Sequence, residues 1–92
     1  MTEDDYRTDL AKKEYREPAS KTWEADRFND SHTHEYALYL LITQGEMTLE
    51  VEGSDGVETT KCASGETIEV PAHVVHTERA GIEGVTFWVA QK

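Results

Sequence analysis

Histidine is the residue type whose placement most strongly suggests chemistry, because all four histidines of this chain fall in two short segments, 32–34 and 73–76. Imidazole is the commonest side-chain ligand for transition metals in proteins. In an extended strand, residues two apart project to the same face about 6.5 to 7 Å apart, so His32 and His34 can share one ion. His76 is the best candidate for a third ligand, since it lies in a later segment that combines a turn and a strand. We therefore predict one divalent transition metal ion bound by His32, His34 and His76.

Three other polar residues near these segments have alternative interpretations. His73 lies three residues before His76, an odd separation that points the two side chains to opposite faces of a regular strand. We expect His73 at the mouth of the fold without contact to the metal. Glu35 has the opposite strand parity to His34 and is expected to be exposed. Glu78 shares the parity of His76, so it could line the cavity as a partner of the ligands or as an acid or base, although a solvated strand residue is the favoured interpretation.

The segments that must position these histidines have the pattern of short β-strands. Residues 46–52 alternate between polar and apolar, which is typical of a strand with one face on the core, and residues 37–42 form a continuous apolar run, typical of a buried strand. Turn residues separate the strands at 29–31, 44–45, 53–56, 64–66 and 81–84. The predicted strands are 21–25, 37–42, 46–52, 57–61, 67–70, 75–79 and 85–90. This spacing predicts an all-β sandwich or small antiparallel β-barrel over residues 17–92. The polar residues 1–16 predict a short N-terminal helix or a frayed arm.

Composition limits the classes of partner. The chain has 92 residues, enough for one domain, and a net charge of -10 that repels nucleic acid and anionic membrane surfaces. Its single cysteine, Cys62, allows no internal disulfide. No stretch approaches the roughly 20 apolar residues that span a bilayer, and the acidic N-terminus is unlike a secretory signal. We expect a soluble, cytoplasmic protein with no nucleic-acid or membrane partner.

The two histidine segments, with glycines and a proline at fixed spacings around them, resemble the two motifs of the cupin superfamily, namely His32-x-His34 with Gly45 and then Gly65-x5-Pro71-x4-His76. The resemblance covers residues 20–90. It implies a small antiparallel barrel of the double-stranded β-helix or jelly-roll type that holds a metal between the motifs. The family places a glutamate ligand four residues after the second histidine, where this chain has Leu38.

The absence of that glutamate leaves a three-histidine site, which resembles the metal site of thiol dioxygenases in the same superfamily. Three neutral imidazoles suit Fe, Mn, Ni, Cu or Zn and leave coordination positions open. The leading hypothesis is a metal-dependent enzyme, such as a dioxygenase, acting on a small molecule inside the barrel. A non-catalytic ligand-binding or sensor module is the alternative, and Leu38 also allows a degenerate barrel without metal. A homodimer is expected because a small open barrel exposes sheet edges that need covering.

Overall fold

The computed structural model describes all 92 residues, which form one helix and six strands. Every strand pairing is antiparallel, which confirms the predicted all-β class. In chain order the elements are α1 (Glu3–Lys12), β1 (Ala19–Trp23), β2 (Phe28–His32), β3 (Leu38–Gly53), β4 (Gly56–Ala63), β5 (Thr67–Val70) and β6 (His76–Gln91).

Two long strands, β3 and β6, run through both halves of the fold. In one half of the fold, the first part of β3 pairs with the last part of β6, and the strand order is β1-β6-β3-β5. In the other half, the last part of β3 pairs with the first part of β6, and the order is β2-β6-β3-β4. One buried cluster joins the two halves, because it contains Leu40 and Phe87 from the first together with Met47 and Leu49 from the second. The two halves therefore face each other around a shared core, as in a small barrel.

The sharp bends that let β3 and β6 cross between the halves lie at Gly45 and Gly84. Both have positive φ, 77° and 81°, which glycine adopts without steric penalty. A Cβ at Gly45 would collide with the carbonyl oxygen of Gly84, so the two backbones pack directly against each other. The turns predicted at 44–45 and 81–84 are wrong, because the ladder shifts register at these glycines but continues. The turn predicted at 29–31 is also wrong, since these polar residues belong to the largely exposed strand β2. Six strands result instead of the seven or eight that the turn spacing predicts.

The first half of β3 is buried on both faces, which accounts for its uninterrupted apolar sequence. Leu38, Leu40 and Ile42 join the inner core, whereas Tyr39 and Leu41 join a second buried cluster on the outer face. The second cluster is completed by α1, whose buried residues are Tyr6 and Leu10. The Thr2 side chain caps this helix by accepting from the backbone N–H of Asp5 at 3.2 Å. The N-terminal residues thus form a helix that covers the sheet, and at 10 residues it is too short to cross a membrane.

Candidate metal centre

Two paired strands and one loop bring three histidines together. His32 on β2 lies directly opposite His76 on β6 in the antiparallel register. His34 follows β2, and its carbonyl oxygen accepts a hydrogen bond from the backbone N–H of His73 at 2.8 Å. The ring centroid of His32 is 4.3 Å from that of His76 and 5.0 Å from that of His34. The histidines predicted as ligands therefore share one site.

The spacing of these histidines is close to that of a metal-binding set. One nitrogen from each of the three rings lies within 4.8 Å of the other two. Ligands about 2.0 to 2.1 Å from a single ion lie roughly 2.8 to 3.4 Å apart in octahedral or tetrahedral geometry. Small rotations of the rings, with nitrogen shifts of about 1 Å, would bring the three nitrogens onto one ion.

Backbone hydrogen bonds fix which ring nitrogen of each strand histidine is free. The Nδ1 of His32 is 2.6 Å from the carbonyl oxygen of Asp30, and the Nδ1 of His76 is 3.0 Å from that of Val74. A carbonyl oxygen only accepts, so both Nδ1 atoms carry a proton and donate it. In the neutral form of either ring, the Nε2 atom then presents a lone pair toward the site. This is the tautomer that a metal requires of an Nε2 ligand.

The Nε2 of His76 is the only fully buried side-chain nitrogen or oxygen in the protein without a hydrogen-bond partner. The residue as a whole is 1% exposed. Leaving such a group unpaired costs about 1 to 3 kcal/mol, so native proteins rarely retain one without a reason. A cation bound at the Nε2 lone pair would satisfy this atom. The residues present therefore fit a metal ion.

Glu78 approaches the same point from β6, two residues after His76. Its Oε1 is 3.0 Å from the Nε2 of His32 and 3.8 Å from the Nε2 of His76. The residue is 7% exposed, so the favoured interpretation of Glu78 as a solvated strand residue is wrong. The parity that it shares with His76 turns its side chain inward, and the pairing of β6 with β2 covers it. That covering depends on tertiary pairing, which local sequence does not reveal.

Other residues near the histidines have structural roles. His73 is exposed, adopts a positive φ of 66° and lies outside the three-histidine cluster, although its backbone N–H holds the loop of His34. Glu35 is exposed, as its parity predicts. The ring of Tyr36 stacks on that of His34, with centroids 5.0 Å apart and an interplanar angle of 19°. Tyr36 also packs against the inner buried cluster, so its ring connects that cluster to His34.

A cavity of about 460 Å³ opens beside the cluster and includes His32, His34 and Glu78 in its lining. Small-molecule sites usually occupy about 300 to 1,000 Å³, so this volume suits a small organic ligand. Leu38 forms part of the wall, at the position where the cupin resemblance places a glutamate. The other apolar lining residues are Ala19, Trp23, Tyr36, Leu40, Phe87, Val89 and Ala90.

The electrostatic environment keeps His34 in the form that binds metal. Burial is the main cause that lowers the pKa of His34 below its ordinary value, followed by repulsion from His32 and His76. Glu78 opposes this shift, but its effect is smaller. A lowered pKa keeps the imidazole neutral at physiological pH, and only the neutral imidazole has a lone pair available for a metal.

Comparison with known proteins identifies the fold. No protein-family model matches the chain, and no curated protein matches its sequence. Among solved structures, a variant of Bacillus subtilis oxalate decarboxylase has a TM-score of 0.75 at 16% identity, over 82% of this chain and 20% of the enzyme chain. A Drosophila melanogaster CENP-C structure bound to CAL1 has a TM-score of 0.73 at 14% identity, over 82% of this chain and 60% of that one.

Another structure of the same oxalate decarboxylase, described for its Mn(II) centres, aligns with a TM-score of 0.74. This chain thus spans about a fifth of the enzyme and three fifths of the CENP-C chain. Identities of 14 to 16% establish a shared fold and carry no specific activity. The antiparallel architecture and these neighbours show that the chain has a cupin-type β-barrel fold.

Proposed function

We propose that this protein is a metal-dependent cupin that binds one divalent transition metal ion through His32, His34 and His76 and acts on a small molecule in the adjoining cavity. The observation that carries the proposal is the buried Nε2 of His76, which has no partner within the protein. Two further imidazoles lie close enough to complete a site around it. Three convergent nitrogens, with two tautomers fixed by backbone carbonyls, are the arrangement expected of a metal site.

Three neutral imidazoles suit Fe, Mn, Ni, Cu or Zn, and geometry and cellular availability select among these metals. A bound ion would supply Lewis acidity, or oxygen activation if the metal is redox-active. The protein itself holds the imidazoles in fixed tautomers and provides an apolar wall that limits the access of water. The wall formed by Leu38, Leu40 and Phe87 favours a ligand with an apolar body. A polar group of that ligand would face the histidines.

The metal site is tested by replacing His76 with alanine and measuring metal content by elemental analysis and isothermal titration of untagged protein. His73→Ala is the matched control, because it removes an exposed histidine of the same segment. We expect one ion per chain in the wild type and in His73→Ala, and none in His76→Ala. Full stoichiometry in His76→Ala would show that the three histidines do not form one site.

A non-catalytic ligand-binding module is the second candidate. It is supported by the CENP-C structure, which has a similar fold and is described as bound to CAL1. Metal-loaded protein incubated with oxalate, the substrate in the name of one structural neighbour, or with cysteine as a representative thiol separates the two candidates. Consumption of either compound by the wild type but not by His76→Ala supports an enzyme. Binding in the cavity without turnover of these probes supports the module.

The oligomeric state and cellular location also remain predictions. We infer a homodimer from the exposed edge strand β2 and from the small size of the barrel. Sedimentation equilibrium at micromolar concentration tests it, with a monomer as the contradicting result. Imaging of the tagged full-length protein tests the expected cytoplasmic location.

A further inference from the structure

We propose that Glu78 is the fourth ligand of the metal, so that a carboxylate on β6 replaces the one that the cupin motif places at position 38. The inference rests on the proposed metal site at the three histidines. It changes the donor set from three nitrogens to three nitrogens and one oxygen. It also assigns a role to a buried glutamate that the fold itself does not need.

Distances place the Glu78 carboxylate among the ligand atoms. Its Oε1 is 3.0 Å from the Nε2 of His32 and 3.8 Å from the Nε2 of His76. The first separation lies within the roughly 2.8 to 3.4 Å expected between neighbouring ligands of one ion, and the second is slightly longer. The same face of β6 carries both Glu78 and His76, because residues two apart in a strand project together. An ion held by the histidines would therefore meet the carboxylate without any change of the backbone.

The 3.0 Å contact between Glu78 and His32 needs a positive charge, which a bound metal ion or a second proton on His32 would supply. The Nδ1 of His32 donates to the carbonyl of Asp30, so the Nε2 of the neutral ring is an acceptor. An ionised Glu78 oxygen is also an acceptor, and the two atoms lie 3.0 Å apart. Two acceptors at this distance repel each other unless a positive charge is shared between them. A metal ion that binds both atoms removes the repulsion, as would an additional proton on His32.

The only basic side chains within ion-pair distance of Glu78 are two histidines. At 7% exposure Glu78 is the only buried acidic side chain in the protein, and its ion-pair contacts are limited to His32 and His76. No lysine or arginine nitrogen lies within 4.0 Å of its carboxylate. Buried carboxylates are generally paired with a cation or coordinate a metal. A metal ligand role gives this carboxylate a permanent positive partner, which no lysine or arginine provides here.

The charge of the site follows from this assignment. Three neutral imidazoles and one carboxylate leave one positive charge on a bound divalent ion, instead of two. A hard oxygen ligand favours manganese and iron relative to a site of nitrogens alone. The position of Leu38 is then free to shape the cavity wall instead of supplying a ligand.

The test compares Mn²⁺ and Zn²⁺ binding by the wild type, Glu78→Gln and Glu78→Asp, using isothermal titration. Glu83→Gln is the matched control, since it removes the same charge from an exposed site on the same strand. We expect Glu78→Gln to weaken Mn²⁺ binding by about 100-fold or more and Zn²⁺ binding by less. Glu78→Asp should retain part of the Mn²⁺ affinity, and Glu83→Gln should match the wild type. Circular dichroism confirms that each variant is folded.

A spectroscopic measurement separates direct ligation from a merely supporting role. Loss of one oxygen ligand should change the visible absorption of bound Co²⁺ in Glu78→Gln, whereas Glu83→Gln should leave the spectrum unchanged. Unchanged affinity and spectrum in a folded Glu78→Gln that still binds one ion would overturn the role of Glu78 and leave the histidine site intact. Failure of the wild type to bind Mn²⁺, Zn²⁺ or Co²⁺ would overturn the proposed function itself, and this inference with it.

Discussion

The two buried regions on either side of β3 differ in whether their polar groups have hydrogen-bond partners within the protein. On the outer face, the Tyr6 O–H donates to the carbonyl oxygen of Tyr39 at 2.6 Å, and the Tyr39 O–H donates to Asp9 at 2.6 Å. On the inner side, the Nε2 of His76 has no partner, and the carboxylate of Glu78 meets only imidazoles. Tyr6 and His76 are both buried, but only the outer region satisfies its buried polar atoms within the protein.

The difference separates polar groups that stabilise the fold from polar groups that the fold leaves without a full set of partners. A buried polar group that is satisfied internally contributes to stability, and one that is not satisfied is a cost that folding alone would avoid. The tyrosines hold α1 on the sheet, whereas the histidines and Glu78 keep an incomplete set of contacts. Mutations on the outer side should therefore reduce stability and spare metal binding. Mutations of the inner polar residues should reduce metal binding and spare the stability of the metal-free protein.

The largest effect is expected for Tyr6→Ala on the outer side. Tyr6 is 0% exposed and packs edge-on against Tyr39 with ring centroids 5.1 Å apart. Truncating a fully buried aromatic residue to alanine typically costs about 3 to 5 kcal/mol. We expect the free energy of unfolding in urea to fall by this amount while the folded protein still binds one metal ion. Tyr6→Phe should lose only about 1 kcal/mol, because it removes a single hydrogen bond. Loss of metal from folded Tyr6→Ala would show that the two regions are coupled.

The next largest effect is expected when metal is added, because an ion bound by the inner histidines should stabilise the folded protein. A ligand that binds the folded state alone stabilises it by about 2.7 kcal/mol when its free concentration is 100 times the dissociation constant. We expect Zn²⁺ to raise the unfolding midpoint of the wild type and of Tyr6→Phe, but not that of His76→Leu. The measurement is thermal unfolding over a Zn²⁺ titration. An equal rise in His76→Leu would place the bound ion elsewhere.

Much of this contrast could be predicted from sequence, because strand parity is a local property. It placed His32, His34 and Leu38 on one inward face, and the later segment of turn and strand supplied His76 as the third histidine of the cluster. The bends at residues 45 and 84 could not be distinguished from turns, since both need glycine with positive φ and only long-range pairing decides whether the ladder continues. The burial of Glu78 was missed for a related reason, because it depends on β2 pairing with β6 across more than forty residues of sequence.

Without metal, replacing His76 should have a smaller effect with the opposite sign to Tyr6→Ala. His76→Leu substitutes an apolar side chain for a buried imidazole with an unsatisfied Nε2, at the loss of the hydrogen bond from Nδ1 to Val74. Removing the unsatisfied group outweighs that loss, so we expect the metal-free variant to be more stable than the wild type by about 1 kcal/mol. Urea unfolding in the presence of a chelator measures the difference. A destabilisation comparable to that of Tyr6→Ala would mean that His76 serves the fold itself.

The smallest predicted effect is a difference in pH dependence between the two regions. Burial and the neighbouring histidines lower the pKa of His34 below its ordinary value of 6.5. Between the lowered pKa and 6.5 the unfolded chain binds more protons than the folded one, so stability contributed at His34 is lost as pH falls through this window. On the outer side, the Tyr39 O–H lowers the pKa of Asp9 below its ordinary value of 3.8, and the stability it contributes is lost only below that pH.

His34→Asn and Tyr39→Phe separate these two contributions in metal-free protein. We expect His34→Asn to flatten the dependence of unfolding free energy on pH just below 6.5, and Tyr39→Phe to alter it only below about 3.8. Urea unfolding at closely spaced pH values measures the slope of unfolding free energy against pH for each protein. Subtracting the wild-type slope cancels the contribution of the remaining carboxylates, which all three proteins share. If His34→Asn keeps the wild-type slope below 6.5, the imidazole is as easily protonated in the folded protein as in the unfolded chain. The inner region would then lack the neutral imidazole that distinguishes it from the outer one.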